Sequence, residues 1–69
     1  MNEFKKLRKA TRVQAIRAGI IKVVARRTGK SKSTVSRTFA GRYDNPNKEI
    51  IAALHRAMVE LGIDREFAA

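Results

Sequence analysis

A single glycine between two short stretches of helical pattern constrains this chain more than any other feature. The stretch runs from Ile21 to Gly41, IKVVARRTGKSKSTVSRTFAG, with Gly29 at its corner. Glycine reaches the left-handed backbone region without the steric cost that a Cβ imposes, so Gly29 reads as the end of one helix and the start of a tight turn. Ser31, just ahead of KSTVSRTF, carries the hydroxyl of a good N-cap for a second helix. Where two helices cross steeply their backbones come close, and Ala25 leaves room there that a Leu would fill. Val24 and Val35 then close the wedge, which turns Lys32, Ser33, Ser36 and Arg37 outward. The pattern predicts a helix from about Ile20 to Thr28 and a second from about Lys32 to Ala40, stopped by Gly41: a helix-turn-helix.

The flanking segments read as helices too. MNEFKKLRKATRVQAIRAG holds strong helix formers, no Pro, and one Gly at its end. One helix over about residues 3 to 18 is the favoured expectation, with Val13, Ile16, Ala10, Ala15 and Ala18 packed on the motif. Lys5, Lys6, Arg8, Lys9, Arg12 and Arg17 would stay in solvent or meet an anion. Its start has two readings: Asn2 caps a helix in which Phe4, Leu7 and Thr11 share a face, or Thr11 and Gln14 form a capping box that opens a shorter one. Inside the motif, Ile21, Val24 and Ala25 point inward with Val35 and Phe39, while Lys22, Arg26 and Arg27 point out. RYDNPN is a turn-rich loop over residues 42–47, in which Asn45 and Pro46 open a last helix whose first turn carries Glu49. Ile50, Ile51, Leu54, Ala57, Met58 and Leu61 recur at three- and four-residue spacing along residues 48–62, the most regular amphipathic stripe in the chain. The tail, residues 63–69, keeps apolar Ile63 and Phe67. The expectation is a single small all-α domain of four helices.

Charge is unevenly placed along these helices. Residues 1–42 hold thirteen Lys or Arg against the single acid Glu3, a net of +12, whereas residues 43–69 carry a net of −2. A field segregated in this way attracts a polyanion and speeds the encounter, which charge serving solubility alone does not require. Nucleic acid is the partner this implies, and residues up to Lys9 admit a further reading as an arm that orders in a DNA groove. With 69 residues and no Cys, the core is small and has neither disulfides nor thiolate metal sites to staple it, so a second copy would help. His55 is the only His and reads as a surface or interface residue; no metal and no cofactor are expected. No apolar run has the length of a signal peptide or a membrane span, so the expectation is a soluble, cytoplasmic protein without a membrane partner.

The stretch from Ile20 to Gly62 resembles the DNA-binding headpiece of the LacI family of bacterial repressors, with SKSTVSR carrying most of the match and KEIIAALHRAMVELG similar to the third headpiece helix. More distantly the chain is similar to the Cro and repressor proteins of phages, which place one more helix before the motif; the broad group is the lambda-repressor-like helix-turn-helix proteins. Lys30 stands where the family usually has an apolar residue, and Val23 where it usually has an acidic or polar one. The resemblance implies a recognition helix lying in the major groove of double-stranded DNA, with Lys32, Ser33 and Arg37 reading bases. Arg37 can place two donors on guanine O6 and N7, and Lys32 can also reach guanine acceptors. Ser31, Thr34 and Ser36 have hydroxyls suited to phosphate oxygens, with capping as the competing role of Ser31. Lys22, near the amino end of its helix, suits a phosphate, and Arg42, Tyr43 and Asn45 form a loop that resembles the backbone-contacting loop of the headpiece, with turn formation as the competing role of Asn45. No hinge or sugar-binding domain follows Gly62, so no small-molecule effector is expected by that route.

One such motif covers only a few base pairs, so useful specificity requires two copies on a palindromic operator. A homodimer is therefore expected, through the tail and part of the last helix: Met58, Ile63 and Phe67. The function expected is sequence-specific transcriptional regulation, of repressor type in bacteria or phage. An architectural or recombination accessory protein that bends DNA shares the same motif and basic face. An RNA-binding protein would share the size and charge, but Phe4, Phe39, Phe67 and Tyr43 form no stacking platform. A membrane-active helix fits poorly with the Ser/Thr-rich motif. No enzyme is expected, because no carboxylate pair or base-activated nucleophile can be assembled, and GKSKST lacks the upstream glycine and strand of a phosphate loop.

Overall fold

Short breaks between helices set the architecture. The computed structural model describes residues 3–63: a short 3-10 helix, Glu3–Lys6, followed by α1 (Lys9–Arg17), α2 (Ile20–Thr28), α3 (Lys32–Phe39) and α4 (Lys48–Glu60). The chain is an all-α domain over these residues. Between α2 and α3, Gly29 sits at φ +71° and its N–H donates to the Ala25 carbonyl at 2.9 Å. Ser31 follows in extended conformation, and its Oγ accepts from the Thr34 N–H at 3.1 Å, capping α3. Both ends of this break fall where the sequence places them.

The last helix is capped two residues later than Asn45 suggests. Asn47 Oδ1 accepts from the Glu49 N–H at 2.8 Å and the Ile50 N–H at 3.3 Å, the orphan donors of the first turn. Asn45 stands too far upstream to reach them, and it stays in the loop with Pro46. Ile50, Leu54, Ala57 and Met58 of the expected stripe are buried and Ile51 is half-buried. Leu61, at the C-cap where the chain leaves the helix, is instead exposed.

The amino-terminal segment departs most from the single helix expected over residues 3 to 18. It breaks at Leu7 and Arg8, and α1 begins at Lys9 with Arg8 at its N-cap position and no side-chain capping bond, so Thr11 and Gln14 do not open it; the alternative cap, Asn2, lies outside the described residues. Phe4 is the cause. Its ring is fully buried, 5.5 Å from the Phe39 ring and 5.2 Å from that of His55, so the 3-10 turn supplies the apolar bulk on this side. Only small side chains of α1, Thr11 and Ala15, are left to face the core. Val13 and Ile16, expected inside, are therefore 39 % and 49 % exposed, and Ala10 and Ala18 are exposed with them.

Arg12 also turns the other way from its expected place in solvent. Its guanidinium donates to the Phe4 carbonyl at 2.7 Å and to the Phe39 carbonyl, and lies 5.2 Å from the centre of the Phe39 ring. The second bond satisfies a carbonyl at the end of α3, where the helix dipole is negative and a cation is favoured. Burial lowers the pKa of this guanidinium from its ordinary value. Around these groups Ile20, Val24, Ala25, Val35, Phe39, Ile50, Leu54, Ala57 and Met58 form one core with Phe4 and Ala15, and α2 packs most extensively on α4. Thr38, buried beside Phe39, donates its hydroxyl to the Thr34 carbonyl at 2.8 Å.

Candidate nucleic-acid interface

Helix α3 is buried along one side by Val35, Thr38 and Phe39. At about 100° per residue, the opposite side carries Lys32, Ser36, Ser33 and Arg37 across an arc of roughly 140°. All four are exposed. Two cations and two hydroxyls thus share one convex face on a helix about 12 Å long, at 1.5 Å per residue. Thr34 lies at the border and is half-buried.

The hydroxyl of Ser31 is committed to the cap. Besides the Thr34 N–H, it stands 2.8 Å from the Thr34 Oγ1, so the two hydroxyls bond to each other at the start of α3. The capping role of Ser31 is therefore present, and Ser33 and Ser36 are the hydroxyls turned outward on this helix. Lys30, placed where an apolar residue was usual in the resemblance, is exposed; Val23 is half-buried. Neither disturbs the turn, because Thr28 accepts from the Lys30 N–H at 3.3 Å and donates to the Val24 carbonyl at 2.8 Å.

Lys22 is exposed in the first turn of α2, and Lys22, Arg26 and Arg27 line a shallow hollow with Val23. Arg27 is partly engaged, pairing with Glu60 of α4 at 2.6 Å. In the loop after α3, Arg42 and Asn45 are exposed and Tyr43 is half-buried, while the Arg42 N–H donates to the Arg37 carbonyl at 3.1 Å. That bond ties the loop to the last turn of α3. The structure thus brings Lys32, Ser33, Ser36 and Arg37 together on one face and attaches Arg42 to its end, with Lys22 on the neighbouring helix.

Met58 has no exposed surface, because its side chain fills the core against the other buried residues of α4, so it cannot line a dimer contact in this conformation. Ile63 is half-buried against the same core, and Phe67 lies outside the described residues. Val59, which the sequence reading did not name, and Leu61, expected in the buried stripe, are the exposed large apolar residues at this end, at 58 % and 39 %. The positioning role of Arg12 was also missed, since an Arg within a basic run carries no periodic signal that separates it from its neighbours.

Among the described residues no helix is long and apolar enough to cross a membrane, and no group of three or more His, Cys, Asp or Glu could hold a metal ion. Comparison of the chain with models of known protein families, with curated proteins and with solved structures finds no match.

Proposed function

We propose that this chain is a sequence-specific double-stranded DNA-binding regulator of repressor type, using α2 and α3 as a helix-turn-helix. The observation that carries the reading is the exposed arc of Lys32, Ser33, Ser36 and Arg37 on a short, Ser-capped helix, within a segment whose net charge is +12. A helix of this width and length fits a major groove about 12 Å wide, and its amino-terminal residues then meet base edges. Lys32, Ser33 and Arg37 read bases on this proposal. Lys22, Ser36, Arg42, Tyr43 and Asn45 meet the sugar-phosphate backbone, and Ser31 and Thr34 serve chiefly to hold the start of α3.

The proposed assembly is a homodimer on a palindromic operator. With Met58 in the core, its contact surface shifts to Val59 and Leu61 beside Ile63. This end belongs to the segment of net charge −2, so two copies can approach there without the repulsion that the basic half would impose.

Selection of preferred duplexes from a random pool, followed by titration of the winner and a scrambled duplex at several salt concentrations, tests the reading. The expected result is a palindromic consensus bound at least about a thousandfold more tightly than the scrambled duplex. A failure to enrich any consensus, with equally steep salt dependence on every duplex, would favour architectural binding and remove the reading role of Lys32, Ser33 and Arg37. Arg37→Ala is expected to lose preference at one base pair, a cost of about 1 to 3 kcal/mol on the preferred duplex and little on the scrambled one.

A further inference from the structure

The carboxyl-terminal end of α3 is built against the amino-terminal turn. Gly41 lies so close to Lys5 that a Cβ at Gly41 would stand 2.7 Å from the Lys5 Cα and 3.0 Å from its backbone nitrogen. Lys5 is thereby fixed beside the residue that precedes Arg42. Three separate contacts hold the arrangement. The Phe4 ring is wedged against Phe39 and His55, the Arg12 guanidinium bridges the Phe4 and Phe39 carbonyls, and the Leu7 N–H closes the turn on the Phe4 carbonyl at 3.1 Å. Lys5, Lys6 and Arg42 are all exposed, although the backbone that carries them is packed.

We infer that Lys5, Lys6 and Arg42 form a second anion-binding cluster that grips the phosphate backbone of DNA beyond the carboxyl-terminal end of α3, with Arg12 as the residue that positions it. The inference rests on the DNA-binding reading and adds to it a contact outside the base-facing arc. Glu3 and Asp44 are the acids nearest in sequence, against Lys5, Lys6, Arg8 and Arg42, so the positive sign prevails. Lys5 and Lys6 stand outside the base-facing arc of α3, and there an exposed ammonium on a flexible stem acts as a point charge suited to phosphate oxygens. An arm that ordered only on DNA would lose conformational entropy on binding. Here the turn is already ordered, so that cost is confined to the side chains.

The test compares Lys5→Gln, Lys6→Gln and the double variant with the full chain, on the selected duplex and on a scrambled one. Each Gln leaves Phe4, Arg12 and Gly41 intact, and circular dichroism melts check that folding is preserved. Each single substitution is expected to lower the slope of log affinity against log salt by about 0.9, and the double variant by about twice that. The double variant should then lose about tenfold less affinity than the full chain between about 50 and 200 mM salt. Its preference between the two duplexes should be unchanged. Hydroxyl-radical footprinting should show protection of sugars flanking the base-specific contacts that disappears in the double variant. Arg56→Gln, which removes one charge from the outer face of α4, should leave slope and footprint as they are.

An unchanged slope and footprint in the double variant, with the full chain still preferring its duplex, would overturn the cluster and leave the DNA-binding reading intact. Equal slope changes in Arg56→Gln and Lys6→Gln would also overturn it, since net charge alone would then explain the effect. Failure of the full chain to bind any duplex would remove both.

Discussion

At Gly41 two constraints act on one missing atom. The residue sits at φ +77°, where a Cβ costs about 1 to 2 kcal/mol, and the space that Cβ would occupy is filled by the Lys5 backbone. Gly29 is also left-handed, at φ +71°, but nothing lies within 4 Å of its missing Cβ. Gly41→Ala is therefore expected to destabilise the domain by more than Gly29→Ala, for which about 1 to 2 kcal/mol is the whole cost; urea midpoints of the two variants check the order. Gly29 was legible in the sequence because its turn is local. The stricter demand at Gly41 was not, because it comes from a residue 36 positions earlier in the chain. Arg12 is the same lesson in a side chain: only the fold reveals that it serves two carbonyls. Arg12→Ala should cost about 2 kcal/mol through the lost charge-assisted bonds, read as a lower melting temperature. Glu60 belongs to this scale as well. The hydrogen bond from Arg27 is the first cause that holds its carboxyl below its ordinary pKa. A depressed carboxyl contributes stability above its unfolded pKa and loses it as pH falls through the folded value. The stability difference between the protein and Glu60→Gln should thus be present at neutral pH and vanish in acid. It should be small, because both partners are exposed.

Helices α2, α3 and α4 could be read from sequence because each combines an apolar stripe with its own stop or cap, within a few residues of one another. The α3 cap can be tested directly: Ser31→Ala removes the acceptor for the Thr34 N–H and should cost about 1 kcal/mol, with amide exchange rising first at the start of α3. If α3 enters the groove, affinity for DNA should fall in the same variant without a change in preferred sequence, because the base-facing side chains remain. Helix α1 resisted reading because its large apolar residues, Val13 and Ile16, are not its buried ones. The bulk that fills the core on this side comes from Phe4, and the preference for one continuous helix conceals the break that lets Phe4 turn inward. A face chosen by the smallness of Thr11 and Ala15 leaves little trace in hydropathy. The exposed arc on α3 was legible for the opposite reason, since on a single short helix outward positions follow from the inward ones.

At the scale of the molecule, the Cα positions of the described residues span 24 × 24 × 19 Å, narrower than one turn of B-form DNA, about 34 Å. Two copies can therefore lie side by side on one face of a duplex, and specificity for a site of two halves depends on whether they touch. The basic segment suits the polyanion and opposes its own copy; the carboxyl-terminal segment has the reverse balance. Val59 stands at this end with 58 % of its surface exposed, more than any other large apolar residue described. Val59→Lys places a charge at that spot without altering the buried side of α4, so the fold and its melting temperature should change little. On the proposed dimer the variant should bind a half-site as the unaltered chain does, but lose affinity for the full palindrome by about tenfold or more, because the contact that links the two binding events is gone. Sedimentation of each protein on half-site and palindromic duplexes measures both quantities together. Undiminished two-copy binding by Val59→Lys would move the contact elsewhere, whereas one copy per palindrome for the unaltered chain would end the case for a dimer.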